Sequence, residues 1–460
     1  MPRRWVVCAI VGIGALAAGL AGAVQTPPRP RALVQGTLGR RLHEVLVRYH
    51  EYGLSGTVLV AKDGSVVLHE GFGFSDRERR IPNGLDTMFE VASLTKTFTA
   101  AAILRLEMAG RLATEDRIEA HLGPFPPAKA RATLHHLLTH TAGLVRDGTD
   151  VDTPDRESFI KTMKEAPPES PPGERYRYTN AGYSLLAAVV ERVSGETYES
   201  FVRRELFGPT ELASAGFRSE RAEDDPLLAW GYLGALDLLE RRPRQPLHWG
   251  TKGAGGMVMT VGDLYKWYLA LRGDRVLSAA ARAKAFHAWP TEGYGWHVGQ
   301  ERGREVIHKG GGMPDFASHL VHYPRASLVV IFATNDLRQR WRQTLLRALP
   351  AVVFGEEPPL PPPIANVSAA SLARLAGRYR LPSGALVEVQ AREGFLSLGE
   401  NTLAVPRSVP FYPQSPTSFT GFDVQKAALV SLRFEVDAGG DLTRLSVASD
   451  SGSETATRVR

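Results

Sequence analysis

Near the start of the chain, the apolar positions first follow helical spacing and then strand spacing. Between residues 36 and 52 the apolar side chains share one helical face, namely Leu38, Leu42, Val45, Leu46 and Tyr49. Two β-rich runs follow at residues 56–61 and 65–69, and Lys62-Asp63-Gly64 joins them. Because Asp-Gly between two such runs is a strong hairpin signal, we expect a helix followed by a two-stranded hairpin.

The middle of the chain, residues 113–271, has mostly helical or loop patterns. Residues 133–144 predict a short capped helix that Gly143 stops, and residues 180–193 predict an apolar helix ended by Ser194-Gly195. A third helix is expected at residues 260–271, which begin with a Thr cap and capping-box spacing. This part is therefore predicted to form an all-helical insertion.

Strand patterns return at residues 305–308, 317–323 and 327–334, and residues 336–353 then have helical spacing. This part of the chain is thus predicted to begin with a helix and two strands and to end with three strands and a helix. Strands from both ends can then join in a single sheet. The predicted fold class is α+β, with an antiparallel sheet flanked by helices and the helical insertion between its two halves.

A proline-rich stretch, Glu356-Glu357-Pro358-Pro359-Leu360-Pro361-Pro362-Pro363, separates this unit from the last part of the chain. It is predicted to be a stiff, extended linker. Beyond it, short alternating runs predict a small all-β domain, a barrel or a sandwich: 377–380, 386–389, 395–398, 431–436 and 443–447. The predicted boundaries are 1–23 for a leader or anchor, 24–35 and 356–368 for linkers, 36–355 for the main domain and 369–460 for the β-domain.

Composition places the chain among ordinary folded proteins. It has 460 residues, of which 43% are hydrophobic and 23% charged. The net charge of +6 is spread along the chain without a dense Lys/Arg block, which argues against a nucleic-acid partner.

The N-terminus predicts export. Pro2-Arg3-Arg4 precedes an apolar run at residues 5–23, which ends in Ala21-Gly22-Ala23. A positive start, an apolar run and a small-x-small end are typical of a signal peptide, and the run is also long enough for an uncleaved membrane anchor. We expect a periplasmic or secreted protein, and the two alternatives are release after cleavage and anchoring by residues 5–23. The single cysteine, Cys8, lies in this run, so the mature chain is predicted to have no disulfide and no thiolate chemistry.

Candidate chemistry begins at Ser93-Leu94-Thr95-Lys96. Positions i and i+3 share one helical face, so the hydroxyl of Ser93 and the amine of Lys96 are predicted to point into the same space. A serine beside a lysine that is kept from full solvation is an activated nucleophile. The pattern also occurs by chance, as a serine near a helix start followed by a solvated lysine.

Two downstream stretches complete a possible site. Tyr178-Thr179-Asn180 offers a phenol that becomes a base if lysine charges lower its pKa, and an amide that can orient a carbonyl or Lys96. His308-Lys309-Gly310-Gly311-Gly312 follows a predicted strand, and its glycines allow a ligand backbone to approach closely.

Other candidate sites are weaker. His136 and His140 have i, i+4 spacing, but no Glu follows His136 as it does in zinc proteases, so packing or capping is the preferred interpretation. Glycine-rich stretches at 253–256 and 310–312 are not followed by Lys-Ser/Thr at a helix start, which argues against a nucleotide site. No cofactor and no metal site are predicted.

Taken together, these motifs resemble the serine β-lactamase and penicillin-binding-protein-like family, in the branch of class C β-lactamases, D-alanyl-D-alanine carboxypeptidases and related esterases. The resemblance runs from about residue 36 to 355 and includes two further stretches, 134–144 and 255–260. It implies that the last domain is the small β-domain often appended in this family.

The resemblance also implies a role for each motif. Ser93 would form the acyl-enzyme, Lys96 would hold its proton network, and Tyr178 would act as general base and then as proton donor. Asn180 would contact the substrate, and the backbone N–H groups of Ser93 and Gly311 would form the oxyanion hole. His308, beside Gly310, would stand where many relatives place a Lys near the substrate carboxylate.

Two departures from the family pattern affect the expected substrate. His308 carries little charge at neutral pH, which weakens the case for a β-lactam or D-Ala carboxylate unless Lys309 or an Arg compensates. Asp315 stands where the family often has Gly. The predicted function is an exported serine hydrolase of a small ester, amide or peptide. β-Lactamase or carboxypeptidase activity and a non-catalytic envelope binding protein are the alternatives, and the oligomeric state is open.

Overall fold

The computed structural model describes residues 32–145, 153–233, 240–241, 248–289, 292–336, 341–399, 409–423, 428–437, 441–449 and 452–459. The predicted leader or anchor at 1–23 and Cys8 lie outside these residues. Within the described part of the chain, no helix is long and apolar enough to cross a membrane.

Twelve α-helices occur in the described residues, besides 3-10 and π turns: α1 Gly36–Glu51, α2 Thr95–Met108, α3 Ile118–Leu122, α4 Leu134–Leu138, α5 Arg156–Glu165, α6 Asn180–Ser194, α7 Tyr198–Val202, α8 Gly208–Thr210, α9 Val261–Arg272, α10 Ala279–Ala285, α11 Arg342–Val353 and α12 Ala369–Leu375. The strands described before the proline-rich segment are β1 Ala32–Val34, β2 Gly56–Lys62, β3 Ser65–Phe72, β4 Phe74–Asp76, β5 Ile81–Pro82, β6 Met88–Glu90, β7 Gly216–Phe217, β8 Tyr232–Leu233, β9 Glu240–Arg241, β10 Met257–Thr260, β11 His297–Glu301, β12 Arg304–Gly312, β13 Ala317–Tyr323 and β14 Leu328–Thr334. Those after it are β15 Gly377–Arg380, β16 Leu386–Ala391, β17 Leu396–Leu398, β18 Phe411–Ser415, β19 Ser418–Asp423, β20 Ala428–Val436, β21 Leu442–Ser449 and β22 Gly452–Arg458.

The main unit is built on a seven-stranded antiparallel sheet in the order β1-β3-β2-β14-β13-β12-β11. The predicted hairpin forms, and Asp63 and Gly64 both have positive φ, as a tight turn between twisted strands requires. The α+β prediction and the closure of the sheet by both chain ends are confirmed. Two edge strands were not predicted: β11, and β1, which lies within the predicted linker 24–35 and pairs with β3.

Each face of this sheet covers its own apolar core. On the rear face, Val58 and Val60 pack with α1 and α11, and on the front face Leu59 and Ala61 pack with α2, α6 and α9. Successive strand residues point to opposite faces, which explains why one apolar run serves both cores. Helix α2, which begins two residues after Ser93, is enclosed on nearly all sides by the front core.

Two predicted helix boundaries are wrong. Helix α4 ends at Leu138 rather than at Gly143, because Thr139 caps it and His140 then takes a left-handed φ of 58°. Helix α11 begins at Arg342 rather than at 336, since Asp336 is extended and forms a bridge with Tyr232. The insertion was predicted to be all helical, but it also supplies strands β7 and β10, which form a three-stranded sheet with β6.

The proline-rich segment forms neither helix nor strand, and it lies against α1. Tyr49 donates a hydrogen bond to the carbonyl of Pro359 (2.6 Å), and Tyr52 donates one to Pro362 (2.9 Å). Pro358 and Pro361 are buried. This segment, residues 356–363, is called the strap below. Hydrogen bonds from tyrosine hydroxyls hold it against the main unit, so it is not a free spacer.

The last domain is a closed eight-stranded barrel, in which β22 pairs with β15. Five of its strands were predicted, while β18, β19, β22 and helix α12 were not. Apolar side chains fill the interior. On the outside, Phe422 stacks on Tyr49 with ring centroids 6.0 Å apart and contacts Trp341 at 6.2 Å, so the barrel adds a ring to the rear core.

Candidate active site

Ser93 lies in a 3-10 turn, Ala92–Leu94, and Lys96 lies in the first turn of α2. Ala92 has a φ of 46°, a conformation that costs about 1–3 kcal/mol for a residue other than glycine and often marks functional sites. Lys96 is fully buried, and its Nζ lies 3.2 Å from Ser93 Oγ. The structure thus brings the predicted Ser–Lys pair together through a strained turn.

Lys96 has two further acceptors besides Ser93. Its Nζ donates to Asn180 Oδ1 (2.6 Å) and to the carbonyl of Ala254 (2.9 Å). Asn180 is the first residue of α6, whose N-terminus is capped by the Thr179 hydroxyl. The predicted contact between Asn180 and Lys96 is therefore present, and Ala254, which was not predicted, completes the set.

Tyr178 lies between two lysines. Its ring centroid is 5.0 Å from Lys96 Nζ and 5.1 Å from Lys309 Nζ, and its phenol is within hydrogen-bonding reach of Ser93 and Lys96. Burial raises the pKa of this phenol, but the charges of Lys96 and Lys309, together with hydrogen bonds from Ser93 and Lys96, lower the pKa of Tyr178 to about 8. Burial also lowers the pKa of Lys96.

We expect a tyrosinate step near pH 8 in the near-ultraviolet absorbance of the wild-type protein, and its loss in Tyr178→Phe. The described tyrosines Tyr52, Tyr232 and Tyr323 have pKa values raised to about 12 by burial, so they do not overlap this step. Since the phenolate is the basic form, kcat/KM should rise with pH through the same value. A profile that is flat between about pH 6 and 9 would contradict this assignment.

Strand β12 places Lys309, not His308, on the front face. Lys309 pairs with Leu320, and Gly311 pairs with Ser318. Both partners face the front of the sheet. The side chain of Lys309 is only 5% exposed. His308 pairs with Val321, a residue of the rear core, and its Nδ1 lies 3.2 Å from Nε2 of His319. Strand residues alternate between faces, so the predicted position of His308 near a substrate carboxylate is wrong by one residue.

The rear environment keeps His308 neutral. Burial, followed by the charges of His297, Arg342 and Lys309, lowers the pKa of His308 to about 3. The cationic side chain beside Tyr178 on this strand is Lys309, which the sequence interpretation named as able to compensate for His308.

The glycines of β12 also divide between the faces. A β-carbon at Gly310 would point to the rear and meet His319 and Arg342, whereas one at Gly311 would lie 2.1 Å from the carbonyl oxygen of Val91 and 3.0 Å from the nitrogen of Ser93. Only glycine allows β12 to pass this close to the nucleophile. Gly311 as an oxyanion donor stays a prediction, and Gly312 lines the same cavity as Ser93.

This cavity has a volume of about 140 Å³. Its walls come from the nucleophile turn, α6, the 251–256 loop and the end of β12, and they include Glu90, Ser93, Asn180, Gly255, Gly312 and Met313. Glu90 contacts Arg218 at 3.5 Å, so this carboxylate has a cationic neighbour. The cavity leaves open space beside Ser93.

The model of the family described as "Beta-lactamase" matches residues 35–352. The chain belongs to the Beta-lactamase family. Members of this family are serine hydrolases, and the predicted enzyme class is confirmed.

Two curated relatives in the Beta-lactamase family are similar over much of their length. Penicillin-binding protein 4* of Bacillus subtilis (strain 168) is 27% identical, and the match covers 90% of this chain and 96% of the length of that protein. Esterase EstB of Burkholderia gladioli is 29% identical over 60% of this chain and 82% of its own. Among solved structures, the octameric penicillin-binding protein homologue from Pyrococcus abyssi has a TM-score of 0.62, 23% identity, and coverage of 91% of this chain and 100% of its own.

Asp315, where the Beta-lactamase family often has Gly, is buried beneath the turn between β12 and β13. Its carboxylate lies so close to Gly231 that a β-carbon there would be 2.0 Å from Oδ2. The extra side chain is thus accommodated by a glycine on a neighbouring segment. Asp315 packs against that segment instead of filling the cavity beside Ser93.

Sequence reasoning missed or misplaced three participants in this Beta-lactamase family site. Lys309 was considered only as a substitute for His308, and the carbonyl of Ala254 carries no sequence signal. His140 was interpreted as packing or capping, and its ring does pack on that of Tyr178 at 4.3 Å, but the sequence did not indicate this partner. His136 does cap: its Nδ1 accepts a hydrogen bond from the Thr133 N–H at 3.2 Å.

Proposed function

We propose that this chain is an exported serine hydrolase that cleaves small esters or amides through an acyl-enzyme on Ser93. One observation carries the proposal: Ser93 Oγ lies 3.2 Å from a fully buried Lys96, beside a tyrosine whose pKa is lowered to about 8. A nucleophile, a proton carrier and a base near neutral pH in one cavity are what acyl transfer requires. The similarity to esterase EstB supports this chemistry.

The proposed steps follow from these contacts. The Tyr178 phenolate accepts the Ser93 proton while Oγ forms a bond to the substrate carbonyl carbon. The bond to the leaving group then breaks, and the leaving group takes the proton from Tyr178. Water attacks the acyl ester and gives a proton to Tyr178, the acid product departs, and Ser93 regains its proton. Lys96 keeps the phenolate and the hydroxyl aligned throughout.

A second candidate is cleavage of substrates that carry a carboxylate, such as a D-alanyl-D-alanine peptide or a β-lactam. The position of Lys309 favours it, because a buried ammonium on the front of β12 supplies the charge that His308 lacks. The similarity to penicillin-binding protein 4* is consistent with this candidate.

The test combines covalent labelling with a substrate panel. The protein is treated with a fluorophosphonate, and the modified peptide is identified by mass spectrometry. Turnover is then measured with p-nitrophenyl esters, nitrocefin and a D-alanyl-D-alanine peptide. Label on Ser93 with ester turnover supports the proposal, and D-Ala release or nitrocefin turnover selects the second candidate. A folded protein without label or turnover would instead be a binding protein on this scaffold.

Export rests on the sequence of the first 23 residues. We propose that the basic start and the apolar run at 5–23 direct the chain out of the cytoplasm. The N-terminal sequence of the protein recovered from its native host distinguishes cleavage after Ala23 from retention of the run as an anchor.

A further inference from the structure

His140 combines an unfavourable backbone with deep burial. It is 2% exposed and has a φ of 58°, which costs a residue other than glycine about 1–3 kcal/mol. Its Nε2 is buried without a hydrogen-bond partner among the residues that the structure describes. An apolar side chain would fill the same space without leaving a buried polar atom unpaired, so packing alone does not account for an imidazole here.

Besides ring contacts with Tyr176 and Tyr183, His140 has two contacts with the Tyr178-Thr179-Asn180 segment. Its ring lies against Tyr178, with centroids 4.3 Å apart and planes 33° apart. Its Nδ1 accepts a hydrogen bond from the backbone N–H of Thr179 at 3.3 Å. One side chain therefore supports the phenol and holds the peptide that links it to Asn180.

The backbone carbonyls of His140 and Thr141 accept hydrogen bonds from residues that precede this segment. Arg177 N–H donates to the carbonyl of His140 at 2.7 Å, and Gly173 N–H donates to the carbonyl of Thr141 at 2.8 Å.

The imidazole of His140 is kept neutral. Burial and the charges of Lys309 and Lys96 hold the pKa of His140 well below its usual range. A neutral ring whose Nδ1 accepts carries its proton on Nε2.

We infer that His140 is a positioning residue, which holds Tyr178 between Lys96 and Lys309 and fixes Thr179 at the start of α6. This inference rests on the proposed function, in which Tyr178 is the base. It adds to that function a supporting residue besides Ser93, Tyr178 and the two lysines. If the support is lost, the phenol moves away from the two ammonium groups, and their stabilisation of the phenolate weakens.

The test compares His140→Phe with His136→Phe. Both substitutions remove a hydrogen bond between a backbone N–H and a histidine Nδ1, at 3.3 Å and 3.2 Å, but only His140 touches Tyr178. His140→Phe keeps a ring beside Tyr178 but leaves the Thr179 N–H without its acceptor. We expect it to move the tyrosinate step upward by about 0.5–1 pH unit and to lower kcat/KM at neutral pH by about 10–100-fold. His136→Phe should keep the wild-type step.

A second variant keeps the test decisive if His140→Phe does not fold. Asparagine tolerates a positive φ and keeps an acceptor near Nδ1, so His140→Asn removes only the ring. An upward shift of the step in either His140 variant, with His136→Phe unchanged, supports the inference. Wild-type steps in the folded His140 variants, or an equal shift in His136→Phe, overturn it.

The titration separates this inference from the proposed function. It follows the ionisation of Tyr178 without a substrate, using Tyr178→Phe as the blank. A protein that hydrolyses nothing but shows the shifted step would retain His140 as the support of Tyr178 and would lose only the hydrolase assignment.

Discussion

Ser93→Ala is expected to abolish fluorophosphonate labelling and to lower kcat/KM on the panel substrate with the fastest turnover by at least about 10³-fold. The substitution removes the only atom that forms the acyl bond, and no other group in the mechanism can replace it. Lys96 keeps its acceptors on Asn180 and Ala254, so its ammonium remains hydrogen bonded. Labelling and steady-state kinetics at a fixed pH measure both effects.

The fold should survive this substitution, because one hydroxyl is lost from a half-buried residue and no cavity forms in the core. Thermal unfolding of Ser93→Ala should therefore match the wild type within a few degrees. The double variant with Lys96→Met should lose little more activity than Ser93→Ala alone, since residues that act as a unit are not additive. Turnover that persists in Ser93→Ala would rule out the acyl-enzyme.

Lys309→Met is expected to lower kcat/KM at neutral pH by about 10²-fold, whereas His308→Asn should stay within about threefold of the wild type. Lys309 Nζ lies 5.1 Å from the Tyr178 ring and stabilises its phenolate. Without this charge the pKa of Tyr178 rises, so a smaller fraction is ionised at neutral pH. The loss should therefore shrink as the pH is raised, and a pH–rate profile measures it.

The pair of variants tests the register of β12 directly. If His308→Asn caused the larger loss, His308 rather than Lys309 would face the site. The comparison also separates substrates: if Lys309 binds a carboxylate, KM should rise for a D-alanyl-D-alanine peptide and stay unchanged for a neutral ester.

Much of the main unit was predictable because its signals are local. The apolar face of α1, the Asp-Gly turn and the cap at Thr260 each depend on a few neighbouring residues. Strand β1 was missed because it has only three residues and lies at the sheet edge. Its pairing depends on β3, which is distant in the sequence.

The error at His308 has a physical cause. Val306 and Ile307 are both apolar, and one packs on the rear core and the other on the front core. A strand with apolar residues on both faces gives no sequence signal for which face holds the active site. The glycines that follow have no side chains to resolve it. Only the tertiary contacts with Leu320 and Tyr178 place Lys309 on the front.

The barrel strands that were missed lack clear alternation. Strand β18 contains Pro413, and β22 is mostly exposed, with one buried residue, Ala456. Such strands are held by their neighbours in a closed barrel, so their own side chains carry little pattern. The contacts of His140 were equally invisible, because they join segments separated by about forty residues.

The packing of Phe422 on Tyr49 and Trp341 has a practical consequence for anyone who shortens this protein. The family match ends at residue 352, which invites truncation there. Tyr49, Tyr52 and Trp341 are all fully buried in the full chain, and removal of the strap and barrel would leave them facing water. A contiguous aromatic surface of this kind promotes aggregation. We therefore expect the main unit to be less soluble without the barrel. Biochemical work should begin with both parts together.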